Sequence, residues 1–421
     1  MEFKKVKLGE VARVKNGYAF KSKDFTDYGI PIIKIKNICP PLINIEECNY
    51  VSEKLYYQTS QYCILKGDIL ISMTGSGPNQ MNSAVGKVGR YLQNKKALQN
   101  QRVGKIEVID EQKYDKDFLY YYLSQKNILE YFVNNSTGSA NQANISKKII
   151  ENLMVPDFLT STQRKIANIL NTLDSKIEIN NKIISNLESQ AQAIFKSWFV
   201  DFEPFQDGDF VDSELGMIPE GWEVKSLSDI AFFKNGLAMQ KYRPEINEPS
   251  LPVLKIRELN SGSTDFSSDR CRTDIDDSVK VYDGDLIFSW SGTLSCKLWT
   301  GGNAGLNQHL FKVTSEKYEK WFNYSWVKFH MNEFIRIAQD KATTMGHIKR
   351  SHLDEAKVLI PAIDIYEKID KLMKPIIELI IKLGIQNTKL AELRDALLPK
   401  LMAGEIDVSD IKIEGEEVKN E

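Results

Sequence analysis

The sequence predicts an α+β protein with an internal pseudo-twofold repeat: two similar mixed α/β globules joined by two long antiparallel coiled-coil helices. Three observations carry this. Five sequence blocks recur in the same order half a chain later. Two apolar heptad seams are superimposable at a constant offset of 203 residues. The polar layers of those seams are staggered so that only an antiparallel pairing brings them together.

The repeat is explicit. LGEVARVKNGYA at 8–19 returns as LSDIAFFKNGLA at 227–238, and IPIIKIK at 30–36 as LPVLKIR at 251–257. GDILISMTG at 67–75 returns as GDLIFSWSG at 284–292, Asn100-Gln101 as Asn307-Gln308, and Ile145-Ser146-Lys147 as Ile348-Lys349-Arg350. A period of about half the chain is a tandem duplication and not a solenoid. Within each copy, residues 31–35 and 68–72, with partners 252–256 and 285–289, are short runs rich in Ile, Val, Leu and Phe. They are bounded by turn residues and read as strands. Residues 117–132 read as helix.

The first long helix carries Ile166, Leu170, Leu173, Ile177, Asn180, Ile184, Leu187, Ala191, Ile194 and Trp198 at alternating spacings of four and three, a heptad seam. The second carries Ile369, Met373, Ile376, Ile380, Leu383, Asn387, Leu390, Arg394, Leu397 and Leu401 in the same pattern. Pro375 is expected to start or kink this helix and Pro399 to end or bend it. The regular part from Ile376 to Leu397 would then span about 33 Å, close to the ~34 Å of one DNA turn. Asn180 occupies the fifth layer and Asn387 the sixth. Parallel helices would bury each amide against an aliphatic side chain, at about 1–3 kcal/mol apiece. Antiparallel helices let the two amides bond and fix the register.

These elements give five expected regions: globules at 1–158 and 212–361, helical regions at 159–211 and 362–408, and an acidic, disordered tail at 409–421 (with Glu414, Glu416 and Glu417).

Composition excludes several classes. The chain has 421 residues, 55 Lys+Arg against 57 Asp+Glu, and 42% apolar residues, so it is neither disordered nor a simple basic DNA-coating protein. The balance is uneven along the chain: residues 1–158 hold 22 basic and 16 acidic groups, residues 159–211 hold 5 and 7, residues 212–361 hold 19 and 21, and residues 362–421 hold 9 and 13. The first globule alone is attractive to phosphate. Five cysteines without a CxxC argue against a disulfide framework and for a reducing, cytoplasmic setting. The four histidines make no zinc-like spacing with them. No apolar stretch reaches the ~18 residues of a membrane span, and the N-terminus shows no signal-peptide core.

Catalytic signatures fail on inspection. Asn37-Ile38-Cys39-Pro40-Pro41-Leu42 has the wrong order for the Asn-Pro-Pro-aromatic motif of adenine methyltransferases, and no Gly-rich cofactor loop accompanies it. Gly75-Ser76-Gly77 lacks a third glycine at position 80, and there is no phosphate-binding P-loop. Pro156-Asp157 with Asp174-Ser175-Lys176 fits a nuclease pattern only loosely, with Asp174 and Lys176 on the seam helix.

Three further segments complete the reading. They are LGMIPEGW at 215–222, WFVDFEPF at 198–205 and LRDALLPKL at 393–401. With the duplication, they make the chain similar to the DNA-specificity subunits of type I restriction–modification enzymes, although the first copy lacks the IPEGW-like lead. The resemblance covers nearly the whole chain. It implies two target recognition domains that each read one half of a split double-stranded DNA target. It also implies helices that set the spacing and hold two methyltransferase subunits, joined by restriction/translocase subunits. This chain would be non-catalytic and hold no cofactor. S-adenosylmethionine, ATP and Mg would reside on the partners. The alternatives are a methyltransferase or nuclease with a fused recognition domain, or a coiled-coil scaffold unrelated to DNA.

Base readout needs hydrogen-bonding side chains on loops or strand ends. The polar loop from Thr137 to Asn144 offers Ser139, Asn141, Gln142 and Asn144, followed by Lys147. Its counterpart offers Thr343, Thr344, His347, Lys349 and Arg350. Lys34 with Lys36, and Lys255 with Arg257, have the period-two spacing that puts cations on one strand face. Lys15-Asn16-Gly17 and Lys234-Asn235-Gly236 read as turns, since Asn-Gly is a hairpin signal. Asn100-Gln101 and Asn307-Gln308 fit either base readers or buried, satisfied amides. The aromatic clusters Tyr120-Tyr121-Tyr122 and Trp321-Phe322-Tyr324 read as core. Trp198, Phe199 and Phe202 read as a helix–globule junction or a partner interface.

Overall fold

A computed structural model describes residues 4–77, 85–139, 142–340 and 346–411. The chain forms two compact units, one made of Met1–Asp174 with Leu393–Glu421 and the other of Ser175–Glu392. Both contain helix and sheet, and the strand plan is the same in each.

In the first unit a sheet runs in the order Ala12–Asn16, Val103–Val108, Ile69–Ser72, Val88–Arg90, Leu42–Ile43, Ile38–Cys39. A second sheet runs Asn49–Val51, Ile30–Ile33, Ala97–Gln99, Cys63–Ile64. In the second unit the matching orders are Phe232–Asn235, Leu310–Thr314, Leu286–Ser289, Ser295–Leu298, and Arg270–Arg272, Ser250–Leu254, Ala304–Leu306, Lys280–Val281. To the first of these sheets the first copy adds the edge strands Leu42–Ile43 and Ile38–Cys39. The central strands Ile69–Ser72 and Leu286–Ser289 are buried at every position, which is why they read as continuous apolar runs without alternation.

The duplication also preserves one backbone contact that glycine alone permits. An ideal Cβ on Gly17 would lie 2.1 Å from the Asn100 carbonyl oxygen, and one on Gly236 would lie 2.2 Å from that of Asn307. This corrects the turn reading of the two Asn-Gly pairs. Asn16 and Asn235 end strands, and the next residues bridge in parallel, Tyr18 to Asn100 and Leu237 to Asn307. Close approach, and not a hairpin turn, is what these glycines serve.

The helical expectation at 117–132 is corrected in detail. The first copy has two helices, Lys116–Leu123 and Lys126–Asn134, whereas the second has one, Lys320–Asp340. The break follows from an N-terminal start at Gln125, whose backbone is extended. Tyr120, Tyr121 and Tyr122 are buried, as are Trp321, Phe322 and Tyr324. Phe199 packs with Trp222, Trp321, Phe322 and Trp326 at centroid separations of 5.4–6.4 Å, and Phe202 and Phe205 also close on Trp222. The LGMIPEGW segment thus supplies a tryptophan to the helix-end core.

Two helices, Thr160–Phe199 and Ile363–Met402, run 40 residues each, about 60 Å at 1.5 Å per residue. They are longer than the seam arithmetic allowed, because Pro375 neither starts the second helix nor stops it, and Pro399 lies in its last turn. Their partners descend in the second helix as they ascend in the first, so the pair is antiparallel. In the first unit Asp174 Oδ1 accepts from Arg394 Nη1 at 2.8 Å. In the second, Asn180 Nδ2 donates to Asn387 Oδ1 at 2.8 Å and to Gln386 Oε1 at 2.9 Å. Asn387 Nδ2 in turn donates to Asn181 Oδ1 at 2.8 Å.

The first unit fastens its strands to the helices with a polar network. Arg90 donates to Asp117 and Asn171, both at 2.9 Å, and its guanidinium lies 4.6 Å from the Tyr120 ring centroid. Asn171 Nδ2 returns to Asp117 at 2.8 Å. The Tyr121 hydroxyl donates to Asp174 at 2.7 Å and to Asn171 at 3.0 Å. Burial opposes the charge on Arg394, but the hydrogen bond to Asp174 and the nearby Asp395 hold its pKa above the ordinary value. These contacts give Asp174 a structural role.

Removing one member of the mostly buried Asp174–Arg394 pair strands the other. Arg394→Leu is expected to lower stability by about 3–5 kcal/mol, and the double variant Asp174→Leu/Arg394→Leu to recover most of that loss. Shifts of the denaturation midpoint of the first unit check this. Equal losses in the single and double variants would contradict it.

Candidate nucleic-acid interface

Three segments distant in sequence converge at one edge in each unit. In the first, Met73 N donates to Arg102 O at 2.9 Å and Ile145 N to Met73 O at 3.0 Å. In the second, Trp290 N donates to His309 O at 3.4 Å and Ile348 N to Trp290 O at 3.0 Å. The segments 73–75, 100–102 and 142–145 therefore correspond to 290–292, 307–309 and 346–348. Backbone bonding fixes their mutual placement, leaving side chains at the tips available for a ligand.

The first copy's predicted polar loop is a hairpin. Thr137–Ser139 pairs with Gln142–Asn144, which pairs with Thr74–Gly75. Gly138 takes a φ of 111°, a left-handed conformation that favours glycine. Ser139 and Gln142 are exposed on this hairpin. Asn144 is half-buried, and its Oδ1 accepts from Thr74 Oγ1 at 2.8 Å, so it positions the edge. Asn141 lies outside the described residues, as do Thr343, Thr344 and the acidic stretch Glu414–Glu417. Lys147 follows the hairpin at the start of a short helix, 3.5 Å from Glu151.

In the second copy, Ser291 and His347 form an isolated antiparallel bridge, and Gly292 N donates to Gly346 O at 2.9 Å. His347 is exposed, its ring 6.3 Å from that of Trp290. Lys349 is exposed, with its backbone N–H given to His352 Nδ1 at 3.0 Å. Arg350 is exposed too, but its guanidinium is engaged: Nη2 donates to Phe233 O at 3.0 Å and the group sits 5.4 Å from the Phe311 centroid.

The paired-cation expectation is overturned. The strand Ile30–Ile33 ends before Lys34, which caps a short helix containing Lys36. The strand Ser250–Leu254 likewise ends before Lys255, which caps the helix Ile256–Ser261 containing Arg257. Helical backbone replaces the period-two face. Each cation is also engaged locally. Lys34 Nζ donates to Asn49 Oδ1 at 2.7 Å and lies 4.2 Å from the Phe25 centroid, with its pKa lowered by burial and then by Lys36. Lys36 lies 3.5 Å from Glu47. Lys255 pairs with Asp269. Arg257 meets the buried Glu258 at 2.6 Å, and that hydrogen bond raises its pKa.

Sequence reading missed Thr74, Ser291, Arg102 and His309 as parts of this edge. Their signal was position beside duplicated blocks, not residue type. The backbone N–H groups of Asn100 and Asn307 each donate at 3.1 Å to a strand end, Ile33 O or Leu254 O. Asn307 is also buried, and its Oδ1 accepts from His309 N at 3.3 Å. Among the described residues, no group of three or more His, Cys, Asp or Glu side chains is arranged to hold a metal ion. No described helix is long and apolar enough to cross a membrane.

The chain matches the family described as "Type I restriction modification DNA specificity domain" over residues 1–189 and 219–393. It is 31% identical over 313 residues to the type I restriction enzyme MjaIX specificity subunit of Methanocaldococcus jannaschii, covering 70% of each chain. It is 24% identical to the HindI specificity subunit of Haemophilus influenzae, covering 96% of this chain and all of that one. The crystal structure of a type I restriction-modification S subunit from M. genitalium shares the fold. Its TM-score is 0.52 at 17% identity, over 95% of this chain and 96% of that chain.

The geometry separates two adjacent cations. Arg350→Ala should lower the stability of the second unit by about 1 kcal/mol, through loss of its carbonyl bond and ring contact. Lys349→Ala should change it by less than about 0.5 kcal/mol. Denaturant midpoints compare the two, and an equal effect would remove the distinction.

Proposed function

This chain belongs to the type I restriction modification DNA specificity family, and we propose that it is the DNA sequence-recognition subunit of a type I restriction–modification complex. Residues 1–158 and 212–361 each read one half of a bipartite double-stranded target. The helical regions 159–211 and 362–408 set the spacing between the halves and dock two methyltransferase subunits, with Asn180 and Asn387 fixing the helix register. Restriction/translocase subunits join this core. The chain is non-catalytic and cytoplasmic; methyl transfer and ATP-driven steps, with S-adenosylmethionine, ATP and Mg, belong to its partners.

The observation that carries this reading is the repeated three-segment edge. A single scaffold presents Ser139, Gln142 and Lys147 in one copy and His347 and Lys349 in the other. The framework is shared while the exposed side chains differ, as two readers of different half-sites require. Duplication inside one chain lets the halves diverge, so the target need not be symmetric.

Exchanging residues 1–158 for those of a relative should change one half of the methylated target and leave the other half and the spacing intact. Methylation mapping in a cell holding the chain and its methyltransferase partner tests this, and a change in both halves or neither overturns it. The near-neutral composition, with a formal net charge of -2, further predicts weak DNA binding by the isolated chain and tight binding with the partner. Within that complex, Lys349→Ala should reduce the salt slope of binding by about one.

A further inference from the structure

The Asn-Gln pairs at 100–101 and 307–308 recur in both copies, but among the described residues only the second Gln is held by a neighbouring side chain. The turn is built by the Asn. Asn307 N is tied to Leu254 O at 3.1 Å, and Leu310 N returns to Asn307 O at 3.0 Å. This places Gln308 and His309 at the tip of the converging edge, beside Ser291 and Trp290.

There the side chains form a directed chain. Ser291 Oγ lies 3.0 Å from His309 Nδ1, and Gln308 Nε2 lies 3.3 Å from His309 Nε2. An amide nitrogen only donates, so His309 Nε2 is the acceptor. The neutral ring then carries its proton on Nδ1 and donates it to Ser291 Oγ. The His309 ring is steadied by Trp290, 5.9 Å between centroids, and Trp290 by Phe311 at 5.8 Å. One amide hydrogen of Gln308 is thereby engaged. Its second amide hydrogen and its carbonyl oxygen have no partner among the described residues.

A donor and an acceptor side by side on one amide complement the major-groove edge of adenine, which offers the N6 amino donor and the N7 acceptor. We propose that Gln308, oriented by His309 and Ser291, reads an adenine in the half-site recognised by residues 212–361. This rests on the recognition reading above and deepens it by naming a base and its reader. Gln308 touches the base; His309 and Ser291 are positioning residues. The first copy has Arg102 where the second has His309, and Gln101 there is exposed without such an anchor, so the assignment is specific to the second unit.

The test uses the full chain with its methyltransferase partner in cells and maps methylated sites across a genome. Gln308→Ala should reduce discrimination at one A·T pair of one half-site by about tenfold or more, leaving the other half unchanged. Gln308→Glu should move the preference at that position toward cytosine, whose N4 amino group a carboxylate accepts. His309→Phe keeps a ring against Trp290 but removes the anchor, and should relax the same position. A target unchanged in both halves by Gln308→Ala, or altered only in the half read by residues 1–158, overturns the assignment. If the alanine variant yields no methylation, Gln308→Glu decides alone, and an unchanged adenine preference there overturns it. An unsubstituted complex that methylates no bipartite target would instead overturn the recognition reading itself.

Discussion

Everything in this molecule is organised by the antiparallel pairing of its two 40-residue helices. Each helix carries an apolar seam that it cannot bury alone. Heptads of similar apolar residues would tolerate several registers and either direction. The polar contacts make the alternatives costly. Sliding the helices by one heptad would separate Asn180 from Asn387 and Asp174 from Arg394, leaving buried amide and charged groups without partners. The seam supplies the attraction and the polar layers supply the choice.

The two units solve the same attachment problem with different chemistry. Strand pairing puts Leu298 where the first copy has Arg90, and the helix starts at Lys116 and Lys320 put Trp321 where it has Asp117. The 203-residue offset of the long helices puts Ile377 in place of Asp174 and Ala191 in place of Arg394. A network of ions, amides and tyrosine hydroxyls in the first unit becomes an apolar and aromatic core in the second. The substitution is concerted, which physics demands: exchanging one member alone would bury an unpaired charge. The Trp321 indole N–H keeps a polar tie to the second long helix, donating to Asp370 Oδ1 at 2.6 Å.

What the sequence made legible were features of period and repetition. The heptad seams, the duplication and the aromatic cores all depend on residue spacing that the regular backbone preserves. Errors arose where irregular backbone intervened. Lys34 and Lys36 are two apart, but the strand stops at Ile33, so alternation no longer applies. Asn16-Gly17 reads as a hairpin until the approach of the Asn100 carbonyl, contributed from 83 positions away, explains the glycine. Pro375 starts or kinks a helix by local rules, yet the seam's burial on both sides of it carries the helix through. The interface edge was only half visible, because Thr74, Arg102, Ser291 and His309 join it through long-range backbone bonds that no local pattern encodes.

The near-neutral charge takes on a physical meaning once the cations are located. Many face acids of the same unit: Lys105 and Lys116 meet Asp68, Lys312 meets Asp285, and Lys255 and Arg257 meet Asp269 and Glu258. Their charge is spent holding strands and turns, so it contributes little to long-range attraction of phosphate. Beside Lys147 and Lys349, the edge carries hydroxyls, amides and imidazoles, groups that can discriminate between bases but gain little from a generic duplex. A surface built this way separates specificity from affinity. If the edge reads bases as proposed, it gains little from a wrong sequence, and the sequence-independent part of the binding energy falls to partner subunits.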